Sequence, residues 1–308
     1  MDYDTAIGRK EEILLRLPSM TAVRGGEPPP IGIGLALSDV EDDFGIAVRP
    51  RYQGDLTETA RQYLERASNR QLDIQATGDI EPTGLTVGCT TAHYKGRAGT
   101  LGFFARRMRD GVMGFVSANH VIAALDAGME GDEVVQPAPF IAGTRGPSDR
   151  IGVLDGNYPR LLRQPELCTV DCAFARLIDG IEYEASSIGS GEVLRSDGIR
   201  PRERLPVSKV GSASSRTFGR IRTIALDGFA VDYWGTDVKF RDQIEIESLD
   251  DSPFSRPGDS GSVVFTADYQ PIGLVFARSA AGGHANAGLT FVNPIAAVLK
   301  ALDVSFVA

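Results

Sequence analysis

The chain has 308 residues, long enough for two domains, with 42% hydrophobic residues, 24% charged residues and a formal net charge of −9. This acidic balance, without a Lys/Arg-rich run, argues against a nucleic-acid partner, because nucleic-acid binding depends on a basic surface that neutralises phosphates. The first residues lack the apolar core of a signal peptide and no stretch approaches the ~20 apolar residues that cross a bilayer, so the sequence predicts a cytoplasmic protein without a membrane partner.

The first 82 residues predict a small α+β module with a leading helix followed by elements in the order ββαβ. Apolar and charged residues alternate with helical spacing over 5–17, and Pro18 ends that helix. The elements predicted after it are strands over 31–37 and 44–48, a helix that starts near Asp55 and runs to 67, and a strand over 72–76. The module contains no candidate catalytic group, and we expect it to be regulatory or to dock a partner. Residues 83–97, rich in Gly and Thr, predict a linker.

From residue 98 onward, short strands alternate with turn residues. Asp110-Gly111 predicts a hairpin between 101–107 and 112–117, and Asp227-Gly228 predicts another between 217–226 and 229–234. Many short strands with few helices indicate either a pair of Greek-key barrels or a sandwich. The chain ends in a predicted helix with Asn293 as its N-cap and Pro294 at its first position.

The cysteines are few and unpatterned. Cys89, Cys168 and Cys172 have neither the spacing of a metal site nor that of a disulfide framework. We expect Cys168 and Cys172 to be small buried apolar side chains, and the sequence predicts no metal ion and no other cofactor.

The segment of greatest chemical interest is Pro257-Gly258-Asp259-Ser260-Gly261-Ser262, followed by an apolar run. Glycines on both sides of Ser260 permit a tight turn that exposes its hydroxyl and lets a carbonyl group approach the backbone. The N–H groups of Gly258 and Ser260 could then face a developing oxyanion. The same residues are also ordinary turn formers, in which Asp259 would cap its own backbone. We call residues 257–262 the Ser260 loop.

A serine hydroxyl needs a neighbouring base to act as a nucleophile, usually a histidine oriented by an acceptor. Of the three histidines, His120 lies between a predicted strand and a predicted short helix, which would hold it rigidly. Asp171 lies inside an apolar strand, where an unpaired charge would be costly. A structural histidine and a salt bridge from Asp171 to an arginine are the alternative interpretations.

Together these segments resemble the trypsin-like serine proteases of the chymotrypsin fold. The resemblance covers roughly residues 98–305 and places His120, Asp171 and Ser260 in the family's order. A closer resemblance is to a bacterial group related to the plant NARROW LEAF 1-like proteins, in which an N-terminal α+β module precedes the protease. The segments that carry it are Ile31-Gly32-Ile33-Gly34-Leu35, Gly99-Thr100-Leu101-Gly102, Asn119-His120-Val121-Ile122, Gly131-Asp132-Glu133-Val134-Val135-Gln136-Pro137, Asp149-Arg150-Ile151-Gly152, Val170-Asp171-Cys172-Ala173, Val207-Ser208-Lys209-Val210-Gly211 and the Ser260 loop.

The resemblance implies a mainly β fold of two six-stranded Greek-key barrels with a C-terminal helix over 98–308, preceded by the α+β module. It also implies that Ser260 is the nucleophile, that His120 is the general base and that Asp171 orients His120. Gly258 and Ser260 would form the oxyanion hole.

The resemblance also indicates the residues of the substrate pocket. Phe254 stands where trypsin has the acid that selects basic residues, so Arg/Lys selectivity is not expected. Phe276 and Ala277 would line the opposite wall of the pocket. Arg278 would either narrow the pocket and attract an acidic side chain or be a solvated charge at its rim.

The predicted function is therefore that of a serine endopeptidase acting on a protein or peptide substrate. A cytoplasmic protease endangers its host unless it is selective or gated, so we expect latency and an activating partner, in a bacterial defence or signalling system. The alternative is a non-cleaving protein-binding module on a protease scaffold.

Overall fold

In the computed structural model the described residues are 1–308 except 22–27, 30, 39, 70, 78–83, 142–143, 146–148, 164–166, 186–200, 203 and 308. The chain divides into two compact units, Met1–Thr83 and Gly84–Ala308. The boundary predicted between residues 82 and 83 lies outside the described residues. No helix in the described parts of the chain is both long enough and apolar enough to span a bilayer.

The first unit has the predicted element order. Its elements are helix α1 (Tyr3–Arg16), a 3₁₀ turn (Leu17–Met20), strand β1 (Ile31–Leu37), strand β2 (Phe44–Pro50), a 3₁₀ turn (Gln53–Asp55), helix α2 (Glu58–Ala67) and strand β3 (Leu72–Ile74). Strand β2 is central, antiparallel to β1 and parallel to β3. Ile13, Ile46 and Leu64 are fully buried between the helices and the sheet. Helix α2 starts later than predicted, because Thr57 is its N-cap and Asp55 instead caps the preceding 3₁₀ turn.

The second unit is built mostly of strands. They are β4 (Leu85–Thr86), β5 (Thr90–His93), β6 (Gly99–Thr100), β7 (Phe103–Arg107), β8 (Met113–Ser117), β9 (Glu133–Gln136), β10 (Phe140–Ile141), β11 (Thr144–Arg145), β12 (Asp149–Leu154), β13 (Ala173–Leu177), β14 (Tyr183–Glu184), β15 (Pro206–Gly211), β16 (Ser215–Leu226), β17 (Ala230–Asp232), β18 (Asp237–Lys239), β19 (Gln243–Ser248), β20 (Val263–Phe265), β21 (Pro271–Arg278), β22 (Leu289–Pro294) and β23 (Val304–Phe306). Among its described residues the helices are α3 (Asn119–Ile122) and α4 (Ile295–Leu302), with a 3₁₀ turn at His284–Asn286.

One half of this unit is an eight-stranded sheet in the order β23-β7-β8-β13-β12-β9-β5-β6. It is a half-barrel rather than the closed six-stranded barrel that the resemblance implies. The sheet is open between its edge strands β23 and β6, and the C-terminal strand β23 occupies the edge of β7. Strands β4 and β5 lie within 83–97, so the described part of the predicted linker belongs to the folded unit.

The other half is a closed six-stranded barrel in the order β15-β16-β19-β22-β21-β20. The mainly β fold of paired barrels is therefore confirmed. Side chains from both halves share one core, in which Phe103 and Phe115 of the half-barrel cluster with Val263 and Leu274 of the closed barrel. This shared core holds the strand ends of the two halves in a fixed relationship.

Two local predictions need correction. The hairpin at Asp110-Gly111 is confirmed by the pairing of β7 with β8, but Asp227-Gly228 does not join a hairpin. Strand β16 pairs instead with β15 and β19, while β17 pairs with β18, because the tight turn that returns the chain lies at 233–236. Asn293 is not a helix N-cap: it is the last residue but one of strand β22, Pro294 takes the N-cap position of α4, and the Asn293 side chain donates to Gln243 of β19.

Candidate active site

His120 and Asp171 are brought together by two paired strands. His120 is the second residue of α3, which follows directly after β8, and Asp171 lies just before β13. Strands β8 and β13 are antiparallel neighbours with Ala173 opposite Ser117, so the end of one meets the start of the other. The rigid sheet therefore places the two side chains side by side.

The contact between His120 and Asp171 is short and shielded from solvent. His120 Nδ1 lies 2.5 Å from Asp171 Oδ2, and the backbone N–H of His120 donates to Asp171 Oδ1 at 3.2 Å. The carboxylate is fully buried, and the imidazole is 10% exposed. Because Nδ1 faces the carboxylate, the imidazole donates there and leaves Nε2 available as a base.

Asp171 has further support from residues that are distant in the sequence. Tyr233 Oη donates to Asp171 Oδ2 at 2.6 Å. The backbone N–H of Asp171 donates to Asn293 Oδ1 at 2.9 Å, and Asn293 Nδ2 in turn donates to Gln243 Oε1 at 2.6 Å. Among the described residues no arginine pairs with Asp171, and its carboxylate accepts from the His120 ring, the His120 backbone N–H and the Tyr233 hydroxyl.

The Ser260 loop adopts a turn that requires glycine. The N–H of Asp259 donates to the carbonyl of Arg256 at 2.9 Å, and Gly258, the third residue of this turn, has φ +105°. A positive φ at that position, after Pro257, is the signature of a type II turn. The carbonyl oxygen of Gly258 accepts from Thr100 Oγ1 at 2.8 Å and from Ser212 Oγ at 3.0 Å. These bonds fix the orientation of the peptide that follows Gly258.

Two backbone donors of this loop are available. Among the described residues, the N–H groups of Gly258 and Ser260 make no hydrogen bond, whereas those of Asp259, Gly261 and Ser262 do. Backbone N–H groups without a partner at a turn can bind an anion. These two groups are therefore the candidates for stabilising a negatively charged oxygen beside Ser260.

The Ser260 loop packs against the elements that carry His120. The carbonyl of Ser260 accepts from the N–H of Thr100 at 2.8 Å. A Cβ on Gly99 would clash with the side chain of Val121, next to His120, and would lie only 2.8 Å from the Ser260 carbonyl oxygen. Glycine at position 99 thus permits a close approach of the loop to α3.

The Ser260 side chain is partly exposed, and its Oγ has no hydrogen-bond partner among the described residues. In particular, Oγ is not hydrogen-bonded to His120. Such bonds are commonly long in the absence of substrate and shorten in the complex.

Asp259, directly before Ser260, is anchored in the interior by a lysine that sequence reasoning missed. Asp259 Oδ2 lies 3.1 Å from Lys209 Nζ and accepts from Ser214 Oγ at 2.5 Å, and Lys209 Nζ donates to Ser214 Oγ at 2.7 Å. Burial lowers the pKa of Lys209 below its ordinary value, and the carboxylate opposes that shift. An available signal was a lysine inside an otherwise uncharged strand, where its charge needs a partner.

The predicted pocket residues are only partly placed as expected. Phe254 is 1% exposed and belongs to the core of the closed barrel, and Phe276 is 2% exposed in a separate cluster against Phe240. Each side chain belongs to a hydrophobic cluster, and their role in a substrate pocket stays a prediction. Ala277 is partly buried against the Phe276 cluster, and Arg278 is exposed, which leaves both interpretations of its charge as predictions.

The cysteines take no part in this arrangement. All three are free, and Cys168 and Cys172 are buried as predicted. Burial raises the pKa of Cys89 to about 11 and also raises those of the other two, so the thiols stay protonated.

No protein-family model matches the chain, and no curated protein is significantly similar to it. Solved structures are similar. A glutamic-acid-specific serine protease that uses a histidine triad in substrate binding superposes with a TM-score of 0.51 and 18% identity, over 72% of this chain and 100% of that one. A Nocardiopsis protease gives 0.49 and 19% over 72% and 98%, and a chymotrypsin from Cellulomonas bogoriensis gives 0.47 and 21% over 72% and 99%. With the closed barrel and half-barrel, the first of these shows that the chain has the chymotrypsin-like double β-barrel fold.

Proposed function

We propose that this protein is a serine endopeptidase that cleaves a protein or peptide substrate through a Ser260, His120 and Asp171 triad. The observation that carries the proposal is the 2.5 Å contact between His120 Nδ1 and the fully buried Asp171, on strand ends next to the Ser260 loop. The fold adds support, since the proteases it resembles have the same paired barrels.

In the proposed reaction, Ser260 Oγ attacks the scissile carbonyl carbon while His120 Nε2 takes the hydroxyl proton. The carbonyl oxygen becomes an oxyanion that accepts from the N–H groups of Gly258 and Ser260. His120 then gives its proton to the leaving amine, which yields an acyl-enzyme. A water molecule, deprotonated by His120, hydrolyses the ester and regenerates Ser260. Asp171 holds the imidazole and stabilises its cation throughout.

The proposal also covers how the protease activity is regulated and in which compartment and system the protein works. We propose that the protein works in the cytoplasm on few substrates and is latent until a partner or signal activates it, in a bacterial defence or signalling system. The first unit, with a core of its own, is the proposed regulatory or docking domain. Its position before a protease domain also underlies the proposed relation to the NARROW LEAF 1-like group.

A second candidate is a non-cleaving protein-binding module on the same scaffold. The observation that favours it is the missing hydrogen bond between Ser260 Oγ and His120. Replacing both residues by alanine separates the two functions, because the biological activity of a binding module would survive the change and that of a protease would not.

The direct test is covalent labelling by a fluorophosphonate, which reacts with activated serines. The wild-type chain is incubated with the probe beside the Ser260→Ala and His120→Ala variants, and the labelled peptide is identified by mass spectrometry. We expect one adduct on Ser260 in the wild type and none in either variant, because the small probe requires an assembled triad but not the access that latency denies to a protein substrate. An unlabelled wild type, under conditions in which a control protease reacts, would argue against an assembled site. Rapid hydrolysis of casein would contradict latency while supporting the protease.

A further inference from the structure

The hydroxyl of Tyr233 forms a hydrogen bond to Asp171, and the proposed mechanism assigns no role to this bond. It donates to Asp171 Oδ2 at 2.6 Å, the same oxygen that contacts His120 Nδ1 at 2.5 Å. The other carboxylate oxygen, Oδ1, accepts from the backbone N–H of His120 at 3.2 Å. Rotation of the carboxylate about its Cβ–Cγ bond would break all three contacts. Tyr233 therefore shares directly in setting the angle that Asp171 presents to the imidazole.

We propose that Tyr233 is a positioning residue for the His120–Asp171 pair. This inference deepens the proposed protease function and rests on it, because it assigns to the same site a donor from an element that is remote in the sequence. Asp171 and Tyr233 are 62 positions apart.

The ring of Tyr233 is held firmly enough to aim its hydroxyl. The residue is 5% exposed and packs in a cluster with Leu161, Cys168, Val238, Phe240 and Phe276. Its backbone N–H donates to the carbonyl of Thr236 at 2.9 Å, which closes the tip of the β17–β18 hairpin. The centroids of its ring and the His120 ring lie 5.4 Å apart. The hydroxyl is thus directed by packing and by a closed turn.

The chemistry of the phenol suits a permanent donor. Burial, reinforced by the negative charge of Asp171, raises the pKa of Tyr233 well above its ordinary value of 10.0. The O–H group stays protonated over the range in which a histidine base operates. A hydrogen bond to an ionised acceptor is also stronger than one between neutral groups.

The hairpin that carries Tyr233 also reaches the surface. Strands β17 and β18 form a separate two-stranded sheet, so the hydroxyl depends on the placement of this one hairpin. The next residue, Trp234, is 55% exposed, and the centroid of its ring lies 6.3 Å from that of His120. A displacement of the hairpin tip would move the Asp171 donor as well.

Tyr233→Phe is the decisive variant, because it keeps the ring and its packing and removes only the hydroxyl. The matched control is Tyr158→Phe, in which the lost hydroxyl of a 6%-exposed tyrosine donates to the Gly128 carbonyl instead. Three quantities are compared with the wild type: the rate of fluorophosphonate labelling against pH, the NMR signal and solvent exchange of the His120 Nδ1 proton, and the thermal unfolding temperature.

We expect Tyr233→Phe to slow labelling on the order of tenfold, in line with the loss of one hydrogen bond to a charged group. Without the Tyr233 hydroxyl, the Asp171 carboxylate loses a hydrogen-bond donor that offsets part of its negative charge, so it stabilises the protonated imidazole of His120 more strongly. The acid limb of the labelling rate against pH should therefore move to higher pH. The Nδ1 proton should shift and exchange faster. Tyr158→Phe should change neither the labelling rate and its pH profile nor the signal and exchange of the Nδ1 proton.

An unchanged Nδ1 signal and an unchanged pH profile in Tyr233→Phe would overturn the inference, as would equal shifts in both variants. A wild type that is never labelled would count against the proposed protease function alone. The Nδ1 signal needs no turnover, so the two failures can be told apart.

Discussion

The Lys209 ammonium and the Asp259 carboxylate lie 3.1 Å apart, and neither side chain is exposed to solvent. Asp259 also accepts from the backbone N–H groups of Ala213, Ser214 and Arg256, at 2.8 to 3.2 Å. Ser260 is the next residue along the chain. The direction of the Ser260 loop is therefore set by an interior ion pair.

Lys209→Met should destabilise the fold by about 3 to 5 kcal/mol, because it leaves the Asp259 charge buried without its partner. It should also slow labelling of Ser260, since Asp259 would no longer be held inward. Denaturant unfolding and fluorophosphonate labelling measure the two effects. Lys239→Met is the control, because Lys239 is exposed on β18. Wild-type stability and labelling in Lys209→Met would contradict an anchoring role for the ion pair.

Gly258→Ala should lower the rate of labelling on the order of 10²-fold with little loss of global fold. The positive φ of +105° is strained for alanine, by about 1 to 2 kcal/mol, and the new Cβ would lie only 3.0 Å from that of Ala213. Relief of that strain requires the turn to change, and the N–H of residue 258 turns with it.

The matched control is Gly131→Ala, at a glycine with φ +93° and open space around its Cβ position. It should carry similar backbone strain and leave labelling unaffected. If both variants were labelled equally, the effect at Gly258 would be one of stability rather than of the oxyanion donors.

Local sequence pattern was sufficient to predict only part of the candidate site. Ser260 was predicted from the glycines around it, His120 from its place between a strand and a short helix, and Asp171 because an acid lies within an apolar run. The residues that support the site lie far away in the sequence: Lys209, which pairs with Asp259, is in the strand opposite β20, and Tyr233, which bonds to Asp171, is in the turn of the β17–β18 hairpin. A charged side chain inside a strand signals that a partner exists but does not identify the partner.

The predicted pocket residues show a related limit of sequence pattern. An apolar residue near an active site has the same pattern whether it lines a cleft or fills a core. Phe254 and Phe276 both fill cores, and only the packing of the closed barrel decides this. The fold class was predictable because many short strands with turns restrict the architecture strongly, whereas closure of the first barrel depends on pairings such as that of β23 with β7.

Asp171→Asn should reduce labelling by about 10⁴-fold while the fold is retained. Asparagine has a similar shape but only one acceptor oxygen, so it cannot receive His120, the His120 backbone and Tyr233 together. The imidazole then loses the contact that leaves Nε2 free as a base.

Asp132→Asn is the control, because Asp132 Oδ2 lies 3.0 Å from Nε2 of His93 in a second His–Asp pair. Among the residues that the structure describes, neither His93 nor Asp132 forms a hydrogen bond with a serine, so we expect normal labelling. A comparable loss in both variants would point to a general electrostatic effect instead of the orientation of His120.

We expect the ion pairs of Glu247 to make the stability of the closed barrel depend on pH. Burial raises the pKa of its carboxylate, but hydrogen bonds from Arg220 at 2.7 Å and Arg222 at 2.6 Å outweigh burial and hold it below the ordinary value of 4.5. A depressed pKa in the folded state stabilises the fold at pH values above 4.5, and that contribution is lost as the pH falls through the folded-state pKa. Glu247→Gln should therefore cost about 1 kcal/mol at pH 7, a small amount because both arginines are half exposed. Its stability difference from the wild type should shrink as the pH is lowered below 4.5.

Denaturant unfolding at several pH values measures this difference in stability. The control is Glu182→Gln, at an exposed glutamate, which should not show the same dependence on pH. A difference that stayed constant down to acid pH would show that the arginine pairs do not carry the effect.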